Sequence, residues 1–506
     1  MSNEQAPVGT HDDVASMSAT TDDNTIFETA RGTAVKLLSR YESSDSYIDK
    51  ILDAELRRTE LGPADKALVT ELVNGTVRWQ GRLDWILTGF YHGEFAKCLA
   101  LTKNAMRIAL YQMLFLSKIP PPAAINESVE MVKRLKGDRH AGIVNGVLRN
   151  ILRNIQNIRY PVKEENVVLY HSIVYSHPQW IVRRYLERYG EADMELLLAA
   201  NNNRPMLTLR VNTLKTTSAE VERVLTENDI KYEVSPIHSD SILITSLRDI
   251  RSLPIFTEGM VNVQDASASL VVHLADPKPG MLVYDLCAAP GGKAVYSGEL
   301  MQNSGRIVAL EMYESKLRFI ADNAQRSGVS IIQSVHGDAR VFAPTELADL
   351  VMVDAPCTGL GTLSKKPDIK WRRDLEDVRH MGTMQRQILD HAASLVKPGG
   401  TLVYSTCTIE PEENEHVVNG FLSDNAAFEL ESAERFLPAS VVSDGFLRTF
   451  PHVHKSDGGL CRATTAAFLT IGPGLDTSSN PSPIPKHDER FTIDSSKSQN
   501  SLRRLA

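Results

Sequence analysis

The chain has 506 residues, too many for a single core and enough for two to four domains of roughly 100 to 200 residues each. A hydrophobic fraction of 42% and a charged fraction of 23% are those of a globular protein and exclude a wholly disordered or fibrous chain. The net charge of −8 argues at first sight against a nucleic-acid partner, whose phosphates demand a basic footprint.

No apolar run approaches the roughly 18 residues that a membrane span needs. The first two dozen residues have neither a basic start nor an apolar centre, so a cytoplasmic protein without a secretory signal is expected. Five cysteines (Cys98, Cys287, Cys357, Cys407, Cys461) contain no CxxC pair, which argues against a disulfide framework and against a bound metal.

Residues 1–25 are rich in Ser, Thr and Asp and read as a disordered tail. They carry Glu4, Asp12, Asp13, Asp22 and Asp23 and no Lys or Arg, so part of the acidity lies outside the folded body. From 26 to 158 the pattern is helical, with Val144, Val147, Leu148, Ile151 and Leu152 on one stripe, and an all-α domain is predicted. Arg149 and Arg153 lie off that stripe, four residues apart, where both can face phosphate. The prolines of IPPPAAIN (119–126) interrupt the helices, and Asn126 reads as the N-cap of the next one. Two stretches are locally basic: Lys133, Arg134, Lys136, Arg139, Arg149 and Arg153 against Asp138, and Lys365, Lys366, Lys370, Arg372 and Arg373 against Asp368. Each is either a solvated face or a phosphate contact.

Between 165 and 275 a helix (PQWIVRRYLERYG) mixes with short alternating strands (MLTLRVNTL, SILITS), which predicts a small α+β domain. From 276 to 472 the apolar runs MLVYDL, GRIVALE, VSIIQSV, ADLVMVD and GTLVYSTC alternate with helical stretches, the pattern of a parallel sheet covered on both faces. Residues 473–506 are rich in Pro, Ser and Asn and read as a second disordered tail.

In Asp285-Leu-Cys-Ala-Ala-Pro-Gly-Gly-Lys293 a buried strand runs through a small-residue turn into a helix, where a doubly wound sheet binds nucleotides. Gly291 and Gly292 admit close approach of a ligand, and the helix start offers unbonded N–H groups. Glu311 closes the second strand and can accept hydrogen bonds from ribose hydroxyls; Asp338 is expected to close the third. Three acidic strand ends suit a cationic cofactor better than a pyrophosphate, which favours S-adenosylmethionine over NAD.

Asp354-Ala-Pro-Cys-Thr-Gly359 follows the fourth strand and Ser405-Thr-Cys-Thr408 the fifth, so each sets a cysteine at the ligand-binding edge. Cytosine gives two thiols work to do. Its carbon 5 becomes nucleophilic only after a thiolate adds at carbon 6, with an acid supporting the ring at N3; a base must later remove the carbon 5 proton and release the thiolate. Lys293, if it points inward, is a source of positive charge to favour the thiolate.

These motifs, DLCAAPGGK, GDAR, DAPCTGLG followed by KKPDIKWRR, and LVYSTCTIEPEEN, resemble the RNA cytosine-5 methyltransferases, most closely the RsmB (Sun) family acting on 16S ribosomal RNA. SHPQW, LRVNTLK and VQDASASL resemble that family's linking domain, and ELVNGTVRW, IALYQMLFL and IVNGVLRNILR its NusB-like RNA-binding domain. The resemblance implies an all-α NusB-like domain, a small α+β linking domain and a C-terminal α/β Rossmann-like class I methyltransferase domain. It implies methylation of a specific cytosine of 16S rRNA, cytosine 967 in the family, by a monomer acting on single-stranded or unassembled rRNA. The implied nucleophile is Cys407; Cys357 assists release, and Asp354 touches the base and the cofactor end. The implied cofactor residues are Cys287, Ala288, Ala289, Pro290, Gly291, Gly292, Lys293, Glu311, Asp338 and Asp354.

Two departures stand out. The family usually has DGFF before its last strand, where this chain has Asp457-Gly-Gly-Leu460, and Glu311 stands where Asp is common. The same chemistry on tRNA, or a non-catalytic NusB-like RNA-binding module, are the alternatives. An amino-group methyltransferase would want an Asn/Asp-Pro-Pro-aromatic motif in place of DAPC.

Overall fold

The structure, a computed structural model, describes residues 26–245, 250–454 and 464–471. The two expected tails, Asp457-Gly-Gly-Leu460 and Cys461 lie outside the described residues. The chain divides into two compact units between Tyr160 and Pro161.

The first unit is all helical, with principal helices at Ala30–Glu42, Ile48–Arg58, Pro63–Arg78, Gln80–Phe90, Ala100–Phe115, Pro121–Lys136 and Asp138–Arg153. Ala100–Phe115 is its spine: Ala105, Met106, Ile108, Ala109 and Leu110 are all fully buried, as a helix enclosed by neighbours requires. Gly75 lets the Pro63–Arg78 helix approach it, because a Cβ there would lie 2.1 Å from the Tyr111 ring. Arg107 is nearly buried on the same spine and is balanced by Asp84 at 2.6 Å and by Glu42. The Asp138–Arg153 helix buries Val144, Val147, Leu148 and Ile151 as its periodicity predicts, with Leu152 half-buried.

Asn126 is not an N-cap. The helix begins at Pro121, with Pro120 at the cap, so Asn126 sits inside it and its side chain accepts from Arg149 at 3.3 Å. A proline in the first helical turn sacrifices an N–H that has no intrahelical partner anyway, so these prolines start the helix instead of interrupting it.

The second unit opens with helices Val167–Val174 and Gln179–Asn201, the latter broken at Gly190 (φ 74°). An antiparallel sheet follows, from β1 (Leu207–Val211), β2 (Tyr232–Val234), β3 (Ser241–Ile244) and β4 (Val261–Val263) in the order β2-β3-β1-β4. Leu209 and Val211 of β1 pack with Val221, Leu225, Ile242 and Val261 into a small core. Arg210, between them, points the other way, as strand alternation dictates.

The large sheet contains β5 (Leu282–Asp285), β6 (Arg306–Glu311), β7 (Ile332–His336), β8 (Ala348–Asp354), β9 (Val396–Thr406), β10 (Phe428–Glu431), β11 (Val442–Ser443), β12 (Phe446–Thr449) and β13 (Thr464–Ile471). Its order is β11-β12-β13-β9-β8-β5-β6-β7, with β10 also paired to β13. Strands β5 to β9 pair in parallel, and their residues alternate between two cores: Leu350, Met352 and Val403 face one, Val351, Val353, Leu402 and Tyr404 the other. The antiparallel pairing beyond β9 was not legible, because β10, β11 and β12 have four residues or fewer and none of them holds a long apolar run. Helix Ala266–Ala275, within the stretch read as linking domain, buries Leu270, Val271 and Leu274 in the core of the large sheet. No described helix is long and apolar enough to cross a membrane.

Candidate active site

Strand β5 delivers Asp285 to the carboxyl edge of the sheet, where it is 1% exposed. The chain then turns sharply. Ala288 N–H donates to the Leu310 carbonyl at 2.9 Å, Gly291 N–H donates to that of Ala288 at 2.6 Å, and the Asn323 amide holds the Pro290 carbonyl at 2.9 Å. Gly291 is left-handed (φ 100°) and caps the helix Gly292–Leu300; a Cβ there would meet Ile320 Cα at 3.0 Å. The turn is therefore pinned between β6 and the Glu314–Ser327 helix, and the first N–H groups of a new helix open onto the sheet edge.

Neither carboxylate oxygen of Asp285 is paired with a side chain, and the Cys287 N–H is the backbone donor beside it. Burial pushes its pKa up to about 7, with Lys293 opposing and Asp354 adding to the rise. A buried acid with no ion-pair partner of its own beside a helix N-terminus suits a ligand that carries positive charge near a polar nucleoside, which fits S-adenosylmethionine. Glu311, nearly buried at the end of β6, accepts from the Tyr313 N–H at 3.0 Å and lies 3.7 Å from Lys316.

Asp338 does not close the third strand as predicted. Strand β7 stops at His336, and Asp338 lies in the following turn, clasped by Arg340 through its backbone N–H (2.9 Å) and Nη2 (2.5 Å). That hydrogen bonding holds its carboxyl below the usual range. Cys287 lines the turn, and burial pushes its thiol well up, with Asp285, Asp354, Glu311 and Asp338 adding, so it stays protonated.

Lys293 does point inward, but its Nζ pairs with Asp354 Oδ2 at 2.5 Å, so its charge is committed to that carboxylate. Ser405 Oγ donates to the other Asp354 oxygen at 2.9 Å. The parallel register sets Asp354 opposite Ser405, and this pairing carries the two following turns side by side. Cys357 Sγ and Cys407 Sγ are consequently 2.9 Å apart, well beyond a disulfide's roughly 2.05 Å. Cys407 N–H lies 3.3 Å from Cys357 Sγ, and Gly361 N–H donates to the Cys407 carbonyl at 3.0 Å.

Other neighbours escaped the sequence reading. Glu410 and Glu413, for which the sequence suggested no role, are 1% and 0% exposed. Glu410 is gripped by Arg184 at 2.6 Å and Arg188 at 3.3 Å, both from the Gln179–Asn201 helix. The second basic stretch is only partly a surface: Lys370 is buried with Nζ 3.2 Å from Asn202, Lys365 pairs with Asp265 at 2.5 Å and Arg373 with Asp377 at 3.4 Å. Among the described residues no group of three or more His, Cys, Asp or Glu is placed to hold a metal ion.

Comparison with known proteins identifies the family. The profile of the 16S rRNA methyltransferase RsmB/F family matches residues 272–463, that of the NusB family residues 28–153, and that of the RsmF/B-like ferredoxin-like domain residues 177–251. A probable ribosomal RNA small subunit methyltransferase B of Bacillus subtilis is 36% identical over 85% of this chain and 96% of its own. Its counterpart in Synechocystis is also 36% identical, over 85% of this chain and 97% of its own. A crystal structure of a methyltransferase homolog protein from Pyrococcus horikoshii, 29% identical, superposes with a TM-score of 0.53 over 60% of this chain and 99% of that one. The chain belongs to the 16S rRNA methyltransferase RsmB/F family.

Proposed function

We propose that the protein methylates carbon 5 of one cytosine in 16S ribosomal RNA, the family's cytosine 967, through a covalent bond between Cys407 and carbon 6. The observation that carries this reading is the pair of thiols 2.9 Å apart at neighbouring strand ends, beside an acid held by Lys293 and Ser405. S-adenosylmethionine, when bound, supplies the methyl group. The residues proposed to hold it are Cys287 to Lys293, Glu311, Asp338 and Asp354.

Cys407 adds to carbon 6, and the electron pair of the carbon 5–carbon 6 double bond becomes available at carbon 5. Asp354 meets the base at N3. After transfer, Cys357 as its thiolate takes the carbon 5 proton, the freed electron pair re-forms the carbon 5–carbon 6 double bond, and the carbon 6–sulfur bond breaks with its pair returning to the Cys407 thiolate. A cytosine inside a duplex cannot offer both carbons to a thiol and a methyl donor, so the substrate is single-stranded or unassembled rRNA, met by a monomer.

Cys407→Ala is expected to abolish methylation without adduct. Cys357→Ala is expected to accumulate a protein–RNA adduct that survives a denaturing gel. Equal, adduct-free loss in both variants sinks the division of labour, and bisulfite sequencing of 16S rRNA from a deletion strain tests the nucleotide.

A further inference from the structure

Two adjacent residues at the end of the LVYSTCTIEPEEN run, Glu413 and Asn414, hold the turns of both cysteines. The Glu413 carboxylate is fully buried and accepts the Thr358 N–H at 2.8 Å, the Thr358 hydroxyl at 2.5 Å and the Gln385 amide at 3.0 Å. Gln385 also donates to the Pro356 carbonyl at 2.8 Å, so Cys357 is fixed on both sides. The Asn414 side chain does the same for Cys407: its oxygen accepts from the Thr406 hydroxyl at 2.6 Å and its amide donates to the Thr408 carbonyl at 3.1 Å. Thr358 and Thr408 meet hydroxyl to hydroxyl at 3.2 Å, and Tyr404 donates to the Glu413 carbonyl at 2.6 Å.

We propose that Glu413 and Asn414 form a clamp whose task is to set the register between the two thiols, making them positioning residues for the methyl transfer. The proposal rests on the reading that both thiols take part in the reaction. A carboxylate in the interior is costly, and burial raises Glu413 to about 7 even with three donors around it. If the position only filled space, an apolar side chain would serve at no such cost. What an apolar group cannot do is accept from the backbone and the side chain of Thr358 at once, which fixes the residue next to Cys357 in both position and rotation.

Glutamine can reproduce this grip. Its oxygen takes the Thr358 N–H and the Gln385 amide, while its NH₂ donates to the Thr358 hydroxyl, which turns to donate to Thr408. Alanine reproduces none of it and leaves the Thr358 N–H buried without a partner.

The register is read directly by thiol crosslinking of the full chain without RNA. Diamide takes two electrons and two protons from the pair to form a Cys357–Cys407 disulfide, which peptide mass spectrometry identifies. The expected result is slow crosslinking in Glu413→Ala, with kcat for methylation down about 100-fold at unchanged S-adenosylmethionine affinity. Glu413→Gln should restore both to within about 10-fold of the parent. Parental crosslinking in Glu413→Ala overturns the clamp, as does Glu413→Gln behaving like alanine. If Glu413→Ala fails to fold, Asn414→Ala, which loosens the Cys407 side alone, must crosslink slowly, and a parental rate there is equally fatal. Because crosslinking is scored on the protein alone, absence of an RNA adduct in Cys357→Ala would defeat the covalent route and leave this result standing.

Discussion

Asp285 shows what one buried acid does to a candidate binding site. With its pKa at about 7 against an ordinary 3.8, it is largely neutral below pH 6 and ionised above pH 8. A cationic ligand favours the anion, so the bound form holds fewer protons than the free form and affinity rises with pH across that window. We expect S-adenosylmethionine or a cationic analogue to bind more tightly at pH 8 than at pH 6 by calorimetry, with Asp285→Asn flattening the dependence. Folding shows the opposite sign. The native state takes up a proton that the unfolded chain has lost between about pH 4 and 7, so this carboxyl's contribution to the stability of the unliganded protein fades as pH rises through that range. The glycine turn and both cysteines were legible because their chemistry is local and their spacing fixed. The burial of Glu413 was not, since it depends on what the fold brings alongside.

At the scale of elements, the linking sheet is fastened to the helix that begins at the glycine turn. Arg210 of β1 and Glu299 of that helix are both fully buried and paired in two places, one at 2.9 Å. Gln264 accepts from the guanidinium at 2.6 Å, and the Tyr296 ring lies 4.0 Å from it. Breaking such a pair leaves a stranded charge, so Arg210→Met should destabilise the second unit by about 3–5 kcal/mol. Arg210→Met combined with Glu299→Leu should recover most of that loss, since the stranded charge is gone. Chemical denaturation of the three variants checks this; equal loss in the single and double variants would show that the ion pair is not what matters. Strands β1 and β3 of this sheet were readable from the sequence, but not the three-residue β2 and β4, nor that an arginine on β1 would be wholly buried. Alternation identifies the face a residue takes, not what covers that face.

For the whole molecule, the order of helical domain, linking domain and methyltransferase domain was readable from the change of hydrophobic period along the chain. The antiparallel strands β10, β11 and β12 were not, because strands of four residues or fewer carry too few residues to show a period. The net charge of −8 proved a poor guide to partners. On the Asp138–Arg153 helix Arg149 and Arg153 are both exposed, with Arg149 steadied by Asn145 at 2.6 Å. Replacing both with alanine is expected to weaken binding to single-stranded 16S rRNA fragments and to flatten the salt dependence by about 0.7 per lost phosphate contact. Filter binding across a sodium chloride series measures this, and an unchanged slope would remove that face from the RNA-binding surface.

The placement of β13 has a consequence for how the protein is made. The strand leading to Cys407 has β8 on one side and β13, from residues 464–471, on the other. A nascent chain can therefore assemble the glycine turn and both thiols long before the second border of that strand has been translated. Until then β9 presents an open row of amides and carbonyls, ready to pair with a foreign strand. Ribosomes stalled before residue 464 should therefore carry a methyltransferase domain prone to aggregation, and closure of the sheet beside β9 arrives late in synthesis.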